Sequence, residues 1–196
     1  MVEVARRYEV DGLHFDYIRY PDGDHCYCAG CRERFARAAG TTIANWPEDV
    51  RRNGPQRQRW LDWRRENINP VVREVSQQAR QVRPGIKISA AVFRNWPSDR
   101  DGVGQDWKLW CERGWLDFVC PMDYTPSDVQ LGNWITSQLG WAGKTPCYPG
   151  IAAFEHGRRE RFDHILQQIL VTRGHKTGGF MMFDYGDVHA HGLQPL

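Results

Sequence analysis

Short apolar runs bounded by turn residues recur along the chain, and longer amphipathic stretches lie between them. Five of the runs read as buried strands: GLHFDYIRY (12–20), IKISAAVF (86–93), LDFVCPMDY (116–124), PCYPGIAAF (146–154) and GGFMMFDYG (178–186). The stretches between them return apolar residues at helical spacing. VEVARRYE precedes the first strand and RQRWLDWRRENINPVVREVSQQARQV the second. A kink or an interruption is expected in that long helix at Pro70, because proline lacks the amide hydrogen and clashes with the preceding turn. GQDWKLWCERG, SDVQLGNWITSQLG and RRERFDHILQQILVTRG continue the alternation, and Gly114, Gly140 and Gly174 fall where helix C-caps belong.

Strict alternation of buried strands with helices predicts a parallel α/β architecture. An open doubly wound sheet and a (β/α)8 barrel both satisfy it. No glycine-rich phosphate loop follows a strand, which weighs against the dinucleotide-binding version of the open sheet. Polar residues instead repeat at the strand C-terminal ends: Asp16 and Arg19, Arg94 and Asn95, Asp123 and Tyr124, Glu155, then Asp184 and Tyr185. A barrel enzyme assembles its active site from several strand ends on that face. The expected fold is therefore a partial (β/α)8 TIM barrel, with residues 1–196 as a single domain and 22–54 as a loop insertion. With five strands where a closed barrel has eight, and a helix ahead of the first, the chain reads as the fourth to eighth strands of a longer protein.

Composition narrows the partners. The 26 Lys and Arg nearly balance the 24 Asp and Glu, so no global field favours nucleic acid or an acidic membrane. No apolar run approaches transmembrane length, and MVEVARRYEV carries charges where a signal peptide needs an apolar stretch. An incomplete barrel has unpaired edges, so self-association through them is expected. Among the nine tryptophans, Trp60, Trp63, Trp107 and Trp110 fall at three-residue spacings and read as helix faces packed on a sheet. Trp46, Trp96 and Trp141 lie in loops, where a flat indole can face a sugar ring.

Six cysteines divide into a tight cluster and three scattered residues. Cys111, Cys120 and Cys147 sit in apolar surroundings and read as buried thiols. Cys26, Cys28 and Cys31, in CYCAGC, have the spacing of three thiolates on one face of a tetrahedral structural zinc, with a fourth ligand from elsewhere. His25 adjoins Cys26 and is poorly placed to complete the same tetrahedron. Free loop thiols or a redox pair are the alternative. No cofactor is expected for catalysis.

DGLHFDYIRYP, CYCAGC, VFRNWPSDRDGVGQDW and DFVCPMDYTPSD together resemble the family 10 glycosylhydrolases, the glycosyl-hydrolase-like family 10 of bacteria, from about Asp11 to Tyr185. The resemblance implies a (β/α)8 barrel in which the first strand here is the fourth, and a carbohydrate substrate. A more distant likeness is to the family 18 chitinases, which carry D-x-x-D-x-D-x-E on the fourth strand. Aligned on Asp11 and Asp16, this chain has His14 for the middle Asp and Ile18 for the catalytic Glu, so chitinase-type cleavage is not expected.

Glycoside hydrolysis normally uses two carboxyl groups flanking the scissile bond. Asp16 is the first candidate: residues two apart share a strand face, so His14 and Asp16 project together while Phe15 and Tyr17 face the other layer. The alternative is that Asp16 anchors a loop by pairing with Arg19. By the same parity Asp123 shares a face with Val119 and Pro121, opposite Tyr124, and is the expected partner. Asp184 comes second and Glu155 third, though FEHGRRE also reads as a solvated loop. His14, Arg19, Arg94, Asn95, Trp96, Tyr124 and Tyr185 are the expected substrate contacts, and Gln105 and Asp106 read as structural residues at a helix start. The chain thus reads as part of a glycoside hydrolase. A non-catalytic carbohydrate-binding barrel and an inactive truncated fragment are the alternatives.

Overall fold

A computed structural model describes residues 1–152 and 158–184, with side chains of 158–162 excepted. Glu155 and Tyr185 lie outside the described residues. Three strands, β1 (Gly12–Phe15), β2 (Lys87–Val92) and β3 (Phe118–Pro121), form one parallel sheet in chain order. Its register pairs His14 with Ser89, and Ser89 with Phe118. A second parallel pair joins β4 (Gly150–Ala152) and β5 (Met181–Phe183). The stretch entering β4 touches β3: Val119 donates to the Pro146 carbonyl at 2.9 Å, and Tyr148 donates to that of Val119 at 2.8 Å. Parallel strands in sequential order with helices alongside are consistent with a partial α/β barrel.

Each strand is shorter than its apolar run, for local reasons. After Phe15 the backbone leaves the sheet, and Tyr17 takes a left-handed φ of 54°. That conformation is costly for a bulky side chain, on the order of 1–2 kcal/mol. β3 ends at Pro121, which has no amide to donate, and the Asp123 amide turns back to the Pro121 carbonyl at 3.1 Å.

The core lies between the sheet and its helices. Leu13, Phe15, Ile88, Ala90, Val92 and Val119 project from alternate strand positions into it. Opposite them, α3 (Arg57–Val82) contributes Ile68, Val72 and Ala79, while α5 (Trp107–Glu112) contributes both its tryptophans. Contrary to the interruption expected at Pro70, α3 runs on through it. The one hydrogen bond that proline forfeits is outweighed by a buried stripe extending from Trp60 to Ala79. α6 (Asp128–Ala142) and α7 (Arg158–Gly174) precede β4 and β5, and short α1 (Val2–Arg7) precedes β1. Gly114 (φ 65°) follows α5 as expected, but Gly140 lies within α6, whose end falls to Gly143 (φ 62°), and Gly174 closes α7 as its last residue.

Residues 22–54 are more than a loop. They hold α2 (Ala29–Ala39), stopped by Gly40 at φ 63°, and a 3-10 turn at Glu48–Val50. Cys31, Phe35, Ile43 and Val50 close a small second core around Trp60. Trp60 meets Phe35 edge-on at 5.1 Å and stacks on Trp63 at 4.8 Å. These two tryptophans therefore hold the insertion, correcting the expectation that they face the sheet; Trp107 and Trp110 do face it. Buried Arg64 fastens the insertion's start, donating to the carbonyls of Asp22 and, at 3.1 Å, Gly102, with its guanidinium 4.3 Å from the Tyr20 ring centre. α4 (Trp96–Gly102), absent from the sequence reading, begins at Trp96-Pro97, with proline in its first turn.

Cys111, Cys120 and Cys147 are buried free thiols. Burial pushes Cys111 and Cys120 up to about 12 and raises Cys147 further. Among the described residues no helix is long and apolar enough to cross a membrane.

Candidate active site

Beyond the ends of the strands lies a cleft of about 330 Å³. His14, Asp16, Tyr17 and Arg19 form the side contributed by β1, and Tyr124 and Phe183 face them. Larger but shallower depressions on the insertion, around Trp46 and around Gly40, lie away from the strand ends.

His14 reaches the cleft because Leu13 and Phe15, on the opposite parity, are buried in the core. Its Nδ1 lies 2.8 Å from Ser89 Oγ, directly across the β1–β2 register. Burial lowers the pKa of the ring, and the Asp16 carboxylate offsets part of that effect. His14 is therefore a neutral hydrogen-bonding group at neutral pH. Asp16, one residue beyond β1, is exposed, and its Oδ1 accepts from the Tyr17 amide at 2.8 Å. Arg19 makes no ion pair with it. Instead the guanidinium stacks between the rings of Tyr17 and Phe93, 4.6 Å from each centre. Tyr17, assigned by parity to the other layer, is 73% exposed and lines the cleft, because its left-handed turn breaks the alternation.

Asp123 takes a different position. It is fully buried, does not line the cleft, and its Oδ1 accepts from Gln138 Nε2 at 2.6 Å. Its Oδ2 has no hydrogen-bond partner among the described residues. Burial pushes this carboxyl up to about 7, against the opposing pull of Gln138 and Arg94. The strand parity that grouped Asp123 with Pro121 ends at Pro121 itself, and Tyr124 emerges on the cleft wall. Tyr124 stacks on Phe183 at 5.6 Å with 22° between the ring planes. Burial pushes its hydroxyl up to about 12, helped by the charges of Asp16, Asp123 and Asp184. Asp184, immediately after β5, is partly buried.

Arg94, Asn95 and Trp96 are not brought to the cleft wall. Arg94 lies 4.4 Å from the Trp134 ring centre, and the Asn95 amide donates to Asp99 at 2.8 Å. Trp96 Nε1 donates to Asp106 at 2.7 Å, tying α4 to the start of α5. Trp46 donates to the Tyr27 carbonyl in the insertion, and Trp141 packs on Trp107. Gln105 is buried and structural, accepting from the Phe93 amide at 2.7 Å and donating to the Ala91 carbonyl at 3.2 Å. Sequence reading missed Ser89, Gln138 and Phe183. Only Ser89 left a trace, as the lone hydroxyl of an apolar strand. Away from the cleft, the thiols of Cys26, Cys28 and Cys31 converge at the head of α2.

Residues 1–144 match the glycosyl hydrolase-like 10 family. The chain belongs to that family. Asp16 and Asp123 fall within the matched part of this glycosyl hydrolase-like 10 chain, and Asp184 beyond it. It is 27% identical over 182 residues to glycosyl hydrolase DigH of Escherichia coli K12, covering 83% of this chain and 38% of the relative. It is 22% identical over 140 residues to glycosyl hydrolase YngK of Bacillus subtilis, covering 62% of this chain and 24% of the relative. An S-layer-related protein of Niallia circulans is 25% identical over 224 aligned positions, covering 95% of this chain and 14% of its own length. The chain thus spans well under half of each of these relatives.

Proposed function

We propose that this chain carries the C-terminal strands, the fourth to the eighth, of a (β/α)8 glycoside hydrolase, and that its cleft cleaves an O-glycosidic bond in an oligo- or polysaccharide. The observation that carries the reading is the placement of Asp16: an exposed carboxylate at a strand end, in a cleft with aromatic walls from Tyr17, Tyr124 and Phe183. Aromatic faces suit the apolar face of a sugar ring, and a carboxylate beside them suits the reacting carbon. The names of the DigH and YngK relatives, both glycosyl hydrolases, support the same class.

In the proposed chemistry Asp16 is the base. It takes a proton from water, whose oxygen attacks the anomeric carbon as the bond to the leaving oxygen breaks. Asp123 supplies the proton that the leaving oxygen takes up. A carboxyl raised to about 7 holds its proton near neutral pH, as a general acid must. Asp123 lies behind the cleft wall rather than on it. Asp184 is the alternative acid. His14 and Arg19 bind sugar hydroxyls.

A second reading, a carbohydrate-binding barrel without turnover, is favoured by the complete burial of Asp123 beneath Gln138. The full-length protein separates the two when challenged with oligosaccharides. Asp16→Asn should lower turnover by roughly 10²–10⁴-fold while leaving sugar binding intact. Near-normal turnover in that variant removes Asp16 from the chemistry, and binding without any turnover by the wild type selects the second reading.

A further inference from the structure

The chemistry at the cleft makes no use of the three cysteines at the head of α2. Their sulfurs all lie within 4.8 Å of one another, and none is in a disulfide. We propose that Cys26, Cys28 and Cys31 bind one zinc ion as thiolates, pinning the segment that leaves the cleft to the first turn of α2.

Zinc–sulfur bonds of about 2.3 Å in a tetrahedron set sulfurs about 3.8 Å apart, so the trio needs to close by no more than about 1 Å. Local backbone already holds two of them. The Cys28 carbonyl accepts from the amides of Cys31 (3.0 Å) and Arg32 (3.1 Å), fixing Cys28 and Cys31 on one turn. Cys31 is anchored below by the small core of Phe35 and Trp60. Three thiolates leave a zinc site with one net negative charge, and Arg34 stands against it, with Nη2 3.4 Å from Cys31 Sγ.

The donor set is all sulfur. Among the described residues no histidine or carboxylate joins the cluster, and the nearby His25 is occupied by Asp22 at 2.7 Å. Such a set suits zinc and excludes magnesium or calcium, which take oxygen ligands. The fourth position falls to water or to a group outside the described residues.

The location gives the ion a structural task. Five buried residues make up the insertion's core, a small area to order more than thirty residues of mostly irregular chain. A metal bound only in the folded state adds its binding energy to that fold. Arg64 holds Asp22 at the insertion's start and Tyr20 just before it, only a few residues after Asp16.

The test uses the full chain purified with reduced thiols. Elemental analysis after zinc loading should find about one zinc per chain, and cobalt loading should give thiolate-to-cobalt charge-transfer absorption. Cys28→Ser should lose both signals while His25→Ala keeps them, with far-UV circular dichroism reporting the fold of each variant. The cobalt spectrum of the wild type decides the matter even if Cys28→Ser fails to fold. No zinc or cobalt uptake by the reduced wild type overturns the proposal. So does a Cys28–Cys31 disulfide that forms under mild oxidation as readily in zinc as in chelator, which identifies a redox dithiol instead.

Discussion

Gln138 Nε2 donates to Asp123 Oδ1 at 2.6 Å, and both side chains are fully buried. The same amide nitrogen lies 3.2 Å from the Arg94 carbonyl, so one glutamine of α6 joins the ends of β2 and β3. A carboxyl held there is easier to keep neutral than charged.

The pH dependence follows. A carboxyl whose pKa rises from 3.8 to about 7 on folding favours the fold in its protonated form. Its contribution is complete below about pH 3.8 and is lost as the pH rises through the folded value near 7. Asp123→Asn keeps a neutral group of the same shape and should flatten this part of the profile. Urea midpoints for both proteins at several pH values across that window check it. Parallel profiles would show that Asp123 does not titrate this way.

The stereochemistry of turnover is the second expectation. Asp16 and Asp123 stand at the ends of β1 and β3, with β2 between them. Neighbouring strands lie about 4.8 Å apart, so the two strand ends are separated by about 10 Å, and Asp123 is set back from the cleft. A gap nearer 6.5–9.5 Å than 5–5.5 Å leaves room for water and gives inversion. Proton NMR of the first product released by the full-length enzyme should show the inverted anomer. A retained anomer would assign the chemistry to a closer pair.

Trp60 should prove central to the insertion. It is fully buried at the meeting of α3 with Phe35, Val50 and Trp46. Trp60→Ala should cost about 3–5 kcal/mol locally. Hydrogen exchange should accelerate across 26–50 while β2 and β3 stay protected. Uniform loss of protection would mean that the insertion and the sheet unfold together.

The sheet edges lead to the last expectation. Among the described residues β1 pairs only with β2, and β5 only with β4. Phe183 is 49% exposed and Met182 38%, so apolar surface lies at β5. Sedimentation of the isolated chain should show concentration-dependent association. A monomer at all concentrations would contradict it.

Much of this arrangement was legible in the sequence because it depends on near neighbours. Helical spacing located α3 and α7 at their observed bounds, and strand alternation put His14 on the face opposite Leu13 and Phe15. The spacing of CYCAGC foretold three converging sulfurs, since all lie within six residues, two of them on the first turn of α2. The helix α2 escaped notice because only Cys31 and Phe35 mark its buried face.

Tertiary structure decided the rest. Alternation cannot be carried past the point where a strand leaves its sheet, and two of the strands do so just before the residues of interest. Tyr17 therefore reaches the cleft through a left-handed turn, while Asp123 is withdrawn from it behind Pro121. Burial raises the pKa of Asp123 against the pull of Gln138, fifteen residues away on a helix, and the setting of His14 depends on Ser89, seventy-five residues away. A residue's own neighbours report its periodicity; its charge state is set by whatever the fold packs against it.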